Sequence, residues 1–581
     1  MEQASFRRLI DIGIALSAER DTDRLLERIL LEAKDMGNAD GGTLYIRTKE
    51  DTLQFAIMRT DSLGIARGGT TGEAITLPEV AMFGEQGAPN EKNVASYSAI
   101  TGETINIEDA YDSDKFDFSG AKGFDESTGY RSKSFLTVPL KNNQQVVIGV
   151  LQLLNALDDD GNVVAFSDEI QPLIEALASQ AAVALENQNL IEAQKNLLDS
   201  FIELMATALD AKSPYTGGHC QRVPVITEML TRAACDVTEG KFADFDLSEE
   251  EWYELHISAW LHDCGKVTTP EYVVDKATKL ETITDRIHEV RARFEVVKRD
   301  AIIRHQKEII EGRRDPDDDA ELNAELAKID DDFEFIAECN LGGEFMAEER
   351  IERLHEIAER TYSRTLDNRL GVSQEELRRM QASPPEQLPV QEKLLQDCPD
   401  HIHEHDTEIY SADPNNPYGF RVDVPEHKYN KGEVYNLSIG RGTLTNEERF
   451  KINDHIVQTI VMLDQLPFPK HLERVPEIAG GHHEKMDGTG YPKRLTGADM
   501  SIPARIMAIA DVFEALTAAD RPYKKPKTLS ESIRIMSFMV KDQHLDSELF
   551  RLFLESGVHN EYAENYLMPS QVDDVRIGDY I

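Results

Sequence analysis

Two short stretches carry side chains suited to one kind of chemistry. His482-His483-Glu484-Lys485-Met486-Asp487-Gly488-Thr489-Gly490-Tyr491-Pro492 sets adjacent imidazoles ahead of a glycine-rich turn, and His262-Asp263-Cys264-Gly265-Lys266 sets an imidazole beside a carboxylate. Neighbouring His and Asp residues cannot share one helix face, yet both can reach a metal lodged between helices. A carboxylate has two oxygens and can bridge two cations, which an imidazole cannot. Two divalent ions about 3.5–4 Å apart lower the pKa of a shared water and clamp an in-line phosphoryl displacement. Mixed imidazole and carboxylate ligation suits Fe, Mn, Zn or Ni better than Mg or Ca. Any one of these histidines alone reads as a satisfied core or surface residue; the ordered group reads as a metal site for a phosphate ester.

The 581-residue chain is long enough for two or more domains, and its 40% hydrophobic and 29% charged residues are ordinary for folded protein. Its formal charge of −45 is not ordinary. It argues against long-range attraction to nucleic acid polymers or to an anionic membrane. An anionic substrate must then be captured locally, by metal ions and a few Arg or Lys. Five scattered cysteines without CxxC spacing fit reduced thiols. No run approaches the ~20 apolar residues of a membrane span, so a soluble, cytoplasmic protein is expected.

Three textures divide the chain. Residues 1–190 open with a helical pattern over Leu9–Met36, followed by strand-like runs from Thr43, Leu53, Phe135 and Val146. These predict an α/β sensor-like domain, an antiparallel sheet flanked by helices. Over 168–212 the positions Ile174, Leu177, Ala181, Ala184, Gln188, Ile191, Lys195, Leu198, Ile202, Met205 and Leu209 step by three and four. That spacing predicts a connecting, coiled-coil-like helix that pairs with a second chain, in preference to a helix packed on its own domain. Residues 196–581 read as an all-α domain interrupted by a charged, mostly helical insertion at 277–440.

The site residues resemble a known family. His262-Asp263…Lys266, His482-His483-Glu484…Asp487-Gly488…Gly490-Tyr491-Pro492, Ile502 through Asp511, Asp520-Arg521-Pro522-Tyr523-Lys524, the segment Asp210 to His219, and Leu444-Thr-Asn-Glu-Glu…His455 stand in one order. Together they resemble the HD-GYP branch of the HD-domain metal-dependent phosphohydrolases, over roughly 196–276 and 440–540. The resemblance implies an all-helical domain that hydrolyses a cyclic dinucleotide, most often cyclic di-GMP to pGpG or GMP. It implies metal ligands at His219, His262, Asp263, His455, His482, His483 and Asp511, with Asp263 bridging two divalent ions, Fe or Mn. Asp263 and Lys266 are the implied catalytic residues. Lys266, Gly488, Gly490, Tyr491, Arg521 and Lys524 are the implied substrate contacts. Family members with a third metal have a carboxylate where Tyr215 stands, so two metals are expected. Glu514 replaces the usual Asp. The stretch between Asp263 and His455 far exceeds the few tens of residues usual in the family, so the insertion must loop out as a lid, a dimer contact or a partner surface.

The first domain resembles a GAF sensor in Ser98-Ala-Ile-Thr-Gly-Glu-Thr, Thr128-Gly-Tyr-Arg, Val147 through Ala156, and Ala178-Ser-Gln-Ala-Ala. The likeness extends to the cyclic-nucleotide-binding kind, which would place Asp125 and Thr128 in a ligand pocket. A ligandless dimerisation module is the alternative. Cys398-Pro-Asp-His401-Ile-His403-Glu-His405 has metal-like composition but reads as solvated loop. The expectation is a sensor-regulated phosphodiesterase. Its rivals are a 3′,3′-cyclic GMP-AMP hydrolase, a catalytically inactive scaffold and a nucleotidase acting on free nucleotides.

Overall fold

The computed structural model describes residues 2–84, 87–212, 218–343, 345–381, 384–406, 412–413, 415–519 and 526–581. The chain forms two compact units, residues 1–198 and 199–581.

The first unit contains α1 (Glu2–Ala18), α2 (Thr22–Gly37), β1 (Ala39–Arg47), β2 (Thr52–Thr60), β3 (Ile65–Gly68), β4 (Val80–Ala81), α3 (Val94–Thr101), β5 (Ile105–Ile107), α4 (Ser119–Thr128), β6 (Phe135–Lys141), β7 (Val147–Leu157), β8 (Val163–Val164) and the start of α5 (Gln171–Lys212). The sheet runs β3-β2-β1-β7-β6-β5, with β4 beside β2 and β8 beside β7, and every pairing is antiparallel. Leu9, Ile12 and Leu16 of α1, Ile29 and Leu30 of α2, and Ile174 and Leu177 of α5 cover one face of it. The opening pattern is two helices and not one. It breaks at Asp21, whose carboxylate accepts the Arg24 amide and caps α2.

The long α5 departs from its expected seam. Ile174, Leu177 and Ala181 are fully buried in the core of the first unit, and Ile202 is buried as well. Those residues are therefore closed to a second chain. Of the expected seam Ile191 stays exposed (61%), and beside it runs an exposed apolar row at Val183 (46%), Leu190 (61%), Leu197 (71%) and Leu204 (64%), each seven residues apart.

The second unit continues with α6 (His219–Cys235), α7 (Glu249–Leu261), α8 (Glu271–Val274), α9 (Ile287–Ile310), α10 (Ala320–Leu341), α11 (Glu348–Ala358), α12 (Gln374–Met380), α13 (Glu433–Leu437), α14 (Asn446–Asp464), α15 (Val475–Gly480), α16 (Ile502–Thr517), α17 (Leu529–Lys541), α18 (Ser547–Glu555) and α19 (Val558–Tyr566). Two small antiparallel ladders, Thr361–Arg364 with Val390–Lys393 and Ile402–His403 with Tyr429–Asn430, interrupt the helices. One core joins α6 and α16 to α17, α18 and α19 through Val223, Ile509, Phe513, Ile533, Phe553 and Tyr562. A separate core, built on Val290, Phe294, Ile336, Leu354 and Leu437, holds α9, α10, α11 and α13 together.

That second core is fastened to the start of α14. The Lys276 ammonium, buried, donates to both oxygens of Glu448 at 2.9 and 2.7 Å, and Lys279 donates to the Leu437 and Ile439 carbonyls at 2.8 Å each. Glu448 is also half of the capping box with Thr445 that starts α14. A buried ammonium needs such partners to offset its desolvation. Among the described residues, no helix is long and apolar enough to cross a membrane.

Candidate metal centre

The second unit brings seven of the expected site residues together. They come from three helices and two turns: His219 from the start of α6, His262 and Asp263 from the turn after α7, His455 from α14, His482 and His483 from the turn after α15, and Asp511 from α16. His219, His262 and Asp263 form one cluster, and His455, His482 and His483 form a second; within each, the ligand-type atoms lie within 4.8 Å of one another. Asp263 stands between them. Its Oδ2 is 3.1 Å from His219 Nε2 and 3.3 Å from His262 Nε2, whereas Oδ1 is 3.2 Å from His455 Nε2. Asp511 Oδ1 joins the first cluster, 3.3 Å from His219 Nε2.

Three of the histidines are held by one local device. The Nδ1–H of His262, His455 and His482 each donates to the backbone carbonyl three residues earlier: Ala259 at 2.7 Å, Ile452 at 2.5 Å and Ala479 at 2.7 Å. This bond fixes the proton on Nδ1 and leaves Nε2 as a lone pair. His219 achieves the same end differently, with Nδ1 bonded to the Glu514 carboxylate, which Arg222 clamps through Nε at 2.7 Å.

The result is a set of acceptors facing each other. His262 and His219 Nε2 are 3.4 Å apart, and His455 and His483 Nε2 are 3.2 Å apart. His482 Nε2 and Asp263 Oδ1 are buried without a hydrogen-bond partner. Converging lone pairs in a dry site repel, and orphaned buried acceptors require a partner such as an ion. Cations between them satisfy both conditions, so the residues present fit a pair of divalent metals.

The electrostatics favour acceptors at most positions; at His219 burial lowers the pKa, but bonding to Asp263, Asp511 and Glu514 outweighs it and holds the imidazole well above the usual histidine range. Burial, reinforced by the neighbouring His262, pushes His482 down to about 4, which keeps it neutral. Burial also drives His483 well below the usual histidine range, reinforced by His482 and His455. Burial raises the Asp263 carboxyl, but the Lys266 ammonium and His262 outweigh it and hold the group well below the ordinary range. Lys266 Nζ lies 2.5 Å from Asp263 Oδ2. Lys266 therefore sits on a short 3₁₀ turn, Cys264–Thr268, against the bridging-type carboxylate itself.

Close approach explains the glycines. A Cβ on Gly265 would fall 1.9 Å from the His455 carbonyl oxygen, so the turn can pack on α14 only with hydrogen there. Gly265 N donates to Thr459 Oγ1 at 2.9 Å, which ties turn to helix. At Gly490 a Cβ would meet the backbone of Glu484 and Lys485 at 2.4–2.6 Å, so that glycine serves the loop's own fold. Gly488 has φ +78°. Tyr491 stacks on His483, centroids 4.9 Å apart and planes at 17°. Arg521, Lys524 and Tyr215 lie outside the described residues.

Two supporting residues were not legible as such in the sequence. Glu484, in the midst of the His-His turn, is buried and accepts the amides of Lys493 at 2.6 Å and Leu495 at 2.9 Å, which closes the Gly-Tyr-Pro loop. Arg222 braces Glu514. Helical spacing offers a weak signal for it, since Arg222 lies one turn after Gly218. Replacing Glu514 with Gln removes the anionic partner of His219, and metal affinity is expected to fall about 10–100-fold. Titration of the apo-protein with Mn²⁺ or Fe²⁺ checks this; an unchanged affinity would mean that the Glu514 charge is dispensable.

In the first unit, Asp125 and Thr128 are engaged by neighbouring residues of their own domain. The Asp125 carboxylate accepts from Ser132 N at 2.8 Å, Ser132 Oγ at 2.7 Å and Tyr111 at 2.8 Å, and the Thr128 hydroxyl donates to the Phe124 carbonyl. A cavity of about 590 Å³ lies instead among Tyr45, Phe55, Tyr130, Phe135 and Gln152. Its lining includes neither Asp125 nor Thr128.

Residues 389–549 match the HD domain family and residues 21–185 the GAF domain family. The chain carries a GAF-type domain ahead of an HD-type domain. The HD match contains His455, His482, His483 and Asp511; His219, His262 and Asp263 precede it. The chain is 42% identical over 116 residues to 3′3′-cGAMP-specific phosphodiesterase 1 of Vibrio cholerae, covering 20% of this chain and 26% of the relative. It is 42% identical over 82 residues to a cyclic di-GMP phosphodiesterase of Pseudomonas aeruginosa, covering 14% and 19%. To a cyclic di-GMP phosphodiesterase of Thermotoga maritima it is 34% identical over 128 residues, covering 22% and 32%. The chain thus spans less than a third of the length of each of these relatives.

Proposed function

We propose that the second unit hydrolyses one phosphodiester bond of a cyclic dinucleotide, cyclic di-GMP foremost. Water adds across the P–O3′ bond, leaving a 5′-phosphate and a free 3′-hydroxyl, so the first product is the linear pGpG, with GMP after a second cleavage. The observation that carries this reading is the placing of two histidine clusters on the two oxygens of Asp263. His219, His262, Asp263 and Asp511 would hold one divalent ion; His455, His482, His483 and the other Asp263 oxygen would hold the second. When bound, Fe or Mn ions supply Lewis acidity, lowering the pKa of a water and offsetting charge on phosphoryl oxygens.

The chain's own residues do the rest. Burial of His262 and Asp263 keeps bulk water from screening the site, and the histidine tautomers are fixed before substrate arrives. Lys266, which lies against Asp263, would offer its positive charge to the scissile phosphate. Tyr491 offers an aromatic wall, and Arg521 and Lys524 are the further phosphate contacts that the resemblance implies. A second substrate, 3′,3′-cyclic GMP-AMP, stands beside the first because relatives named for each share 42% identity. The test is purification with Fe or Mn, incubation with each dinucleotide and chromatography of products. Metal-loaded protein that turns over neither would leave the scaffold reading.

Two extensions concern regulation. The exposed row Val183, Leu190, Leu197 and Leu204 has the seven-residue period of a helix pair, which favours a homodimer through α5. Leu197→Lys combined with Leu204→Lys is expected to give monomers in sedimentation velocity where the parent gives dimers; a monomeric parent at micromolar concentration ends the idea. The cavity of the first unit is of the size that holds a small ligand, a cyclic nucleotide being the first candidate. Calorimetry of the full chain with cyclic AMP and cyclic GMP checks this, absence of heat with both leaving a ligandless module.

A further inference from the structure

Beside the metal centre lies a groove of about 780 Å³. Its walls come from three places: residues 421–426, the start of α14 with Arg449 and Phe450, and the Gly488–Tyr491 loop. Tyr491 belongs to both sites, since it lines the groove and stacks on the candidate ligand His483. Whatever fills the groove is therefore separated from the metal centre by one aromatic ring.

The wall formed by 421–426 is anchored. Phe420 packs on Val457, Ile460 and Val461 of α14, and stacks on Tyr418 at 5.1 Å. The Arg421 amide donates to the Pro492 carbonyl at 2.7 Å, and Asp423 pairs with Arg494 at 2.8 Å. The groove is thus built into the fold by contacts that leave two side chains uncommitted. Arg421 and Arg449 line it, are exposed, and make no ion pair or side-chain hydrogen bond among the described residues. Asp423, Glu426 and Glu447 line the same groove; Asp423 pairs with Arg494, and Glu447 accepts from the Tyr435 hydroxyl at 3.2–3.3 Å.

A cyclic dinucleotide has two phosphodiesters, and only one can sit on the metal centre at a time. The other must lie within the span of the ring, and its charge must be met locally, because the chain's overall field repels it. Two unpaired guanidinium groups are suited to that task, since Arg offers a planar fork of donors that matches phosphate oxygens. We infer that Arg421 and Arg449 bind the second, non-reacting phosphodiester of the substrate, so that the segment inserted between Asp263 and His455 supplies a substrate-recognition residue. This rests on the cyclic-dinucleotide reading given above.

The test uses the full metal-loaded chain and two substrates. Cyclic di-GMP carries a second phosphodiester; bis(p-nitrophenyl) phosphate does not. The variant Arg421→Ala/Arg449→Ala is expected to lower kcat/KM for cyclic di-GMP by about 10–100-fold, mostly through KM. Its metal content and its rate on bis(p-nitrophenyl) phosphate should match the parent. Arg421→Lys/Arg449→Lys should recover part of the loss. Equal losses on both substrates, or no loss on either, overturn the inference. A parent enzyme that cleaves the small diester but neither cyclic dinucleotide overturns the functional reading itself, and this proposal falls with it.

Discussion

Asp263→Asn is expected to lower turnover of the cyclic dinucleotide by at least about a thousand-fold and to strip metal from the purified protein. The carboxylate faces both histidine clusters, Oδ2 toward His219 and His262 and Oδ1 toward His455. Asparagine keeps the shape but replaces one oxygen with an NH₂ group that carries hydrogens and no lone pair. One cluster then faces a donor where it needs an acceptor, and the negative charge that balances the cations is gone. Lys266, bonded to the same carboxylate at 2.5 Å, is left beside a neutral amide. Elemental analysis and a chromatographic assay measure the two effects together. A variant with full metal content and parental kcat would remove Asp263 from the centre of the mechanism.

Gly265→Ala should be nearly as damaging, although residue 265 carries no chemistry. Its new Cβ would lie 1.9 Å from the His455 carbonyl oxygen and 2.6 Å from Thr459 N. Both are backbone atoms of α14, so no side chain can swing aside. The turn must move away from the helix, at a cost of about 2–3 kcal/mol. That movement carries Asp263 and Lys266 away from His455, and a displacement of about 1 Å in such a site costs on the order of a hundred-fold in rate. Gly440→Ala is the control, with nothing within 4 Å of its Cβ position. Urea unfolding and kcat should drop for the first and stay level for the second. Parental stability in Gly265→Ala would mean the turn packs less tightly on α14 than described.

The candidate ligands could be read from the chain because metal chemistry restricts residue type severely, and His-Asp and His-His pairs are conspicuous in any text. The antiparallel sheet of the first unit was legible too, since runs such as Val147–Leu157 are apolar and bounded by turn residues. The seam expected on α5 mixed two surfaces: a three-four spacing marks every buried stripe, and Ile174 and Leu177 are buried by their own sheet. The row that remains exposed differs from the first by position around the helix, which periodicity alone does not assign. Asp125 was placed in a pocket by likeness of motif, but its oxygens are consumed by Ser132 and Tyr111, a commitment only three-dimensional structure displays. The groove of Arg421 and Arg449 was invisible for the same reason, since 421 belongs to a stretch whose path back to the site no local pattern encodes.

The carbonyl anchors of His262, His455 and His482 have a consequence for how this centre can vary. Peptide oxygens of Ala259, Ile452 and Ala479 persist whatever side chains surround them, so three of the imidazoles have orientations that substitution elsewhere barely touches. His219 and His483 lean on replaceable groups: Glu514, itself gripped by Arg222, and the stacked Tyr491 ring. Drift in metal preference or potential between related proteins should therefore concentrate at those side-chain supports, the adjustable screws of a fitting otherwise cast in backbone.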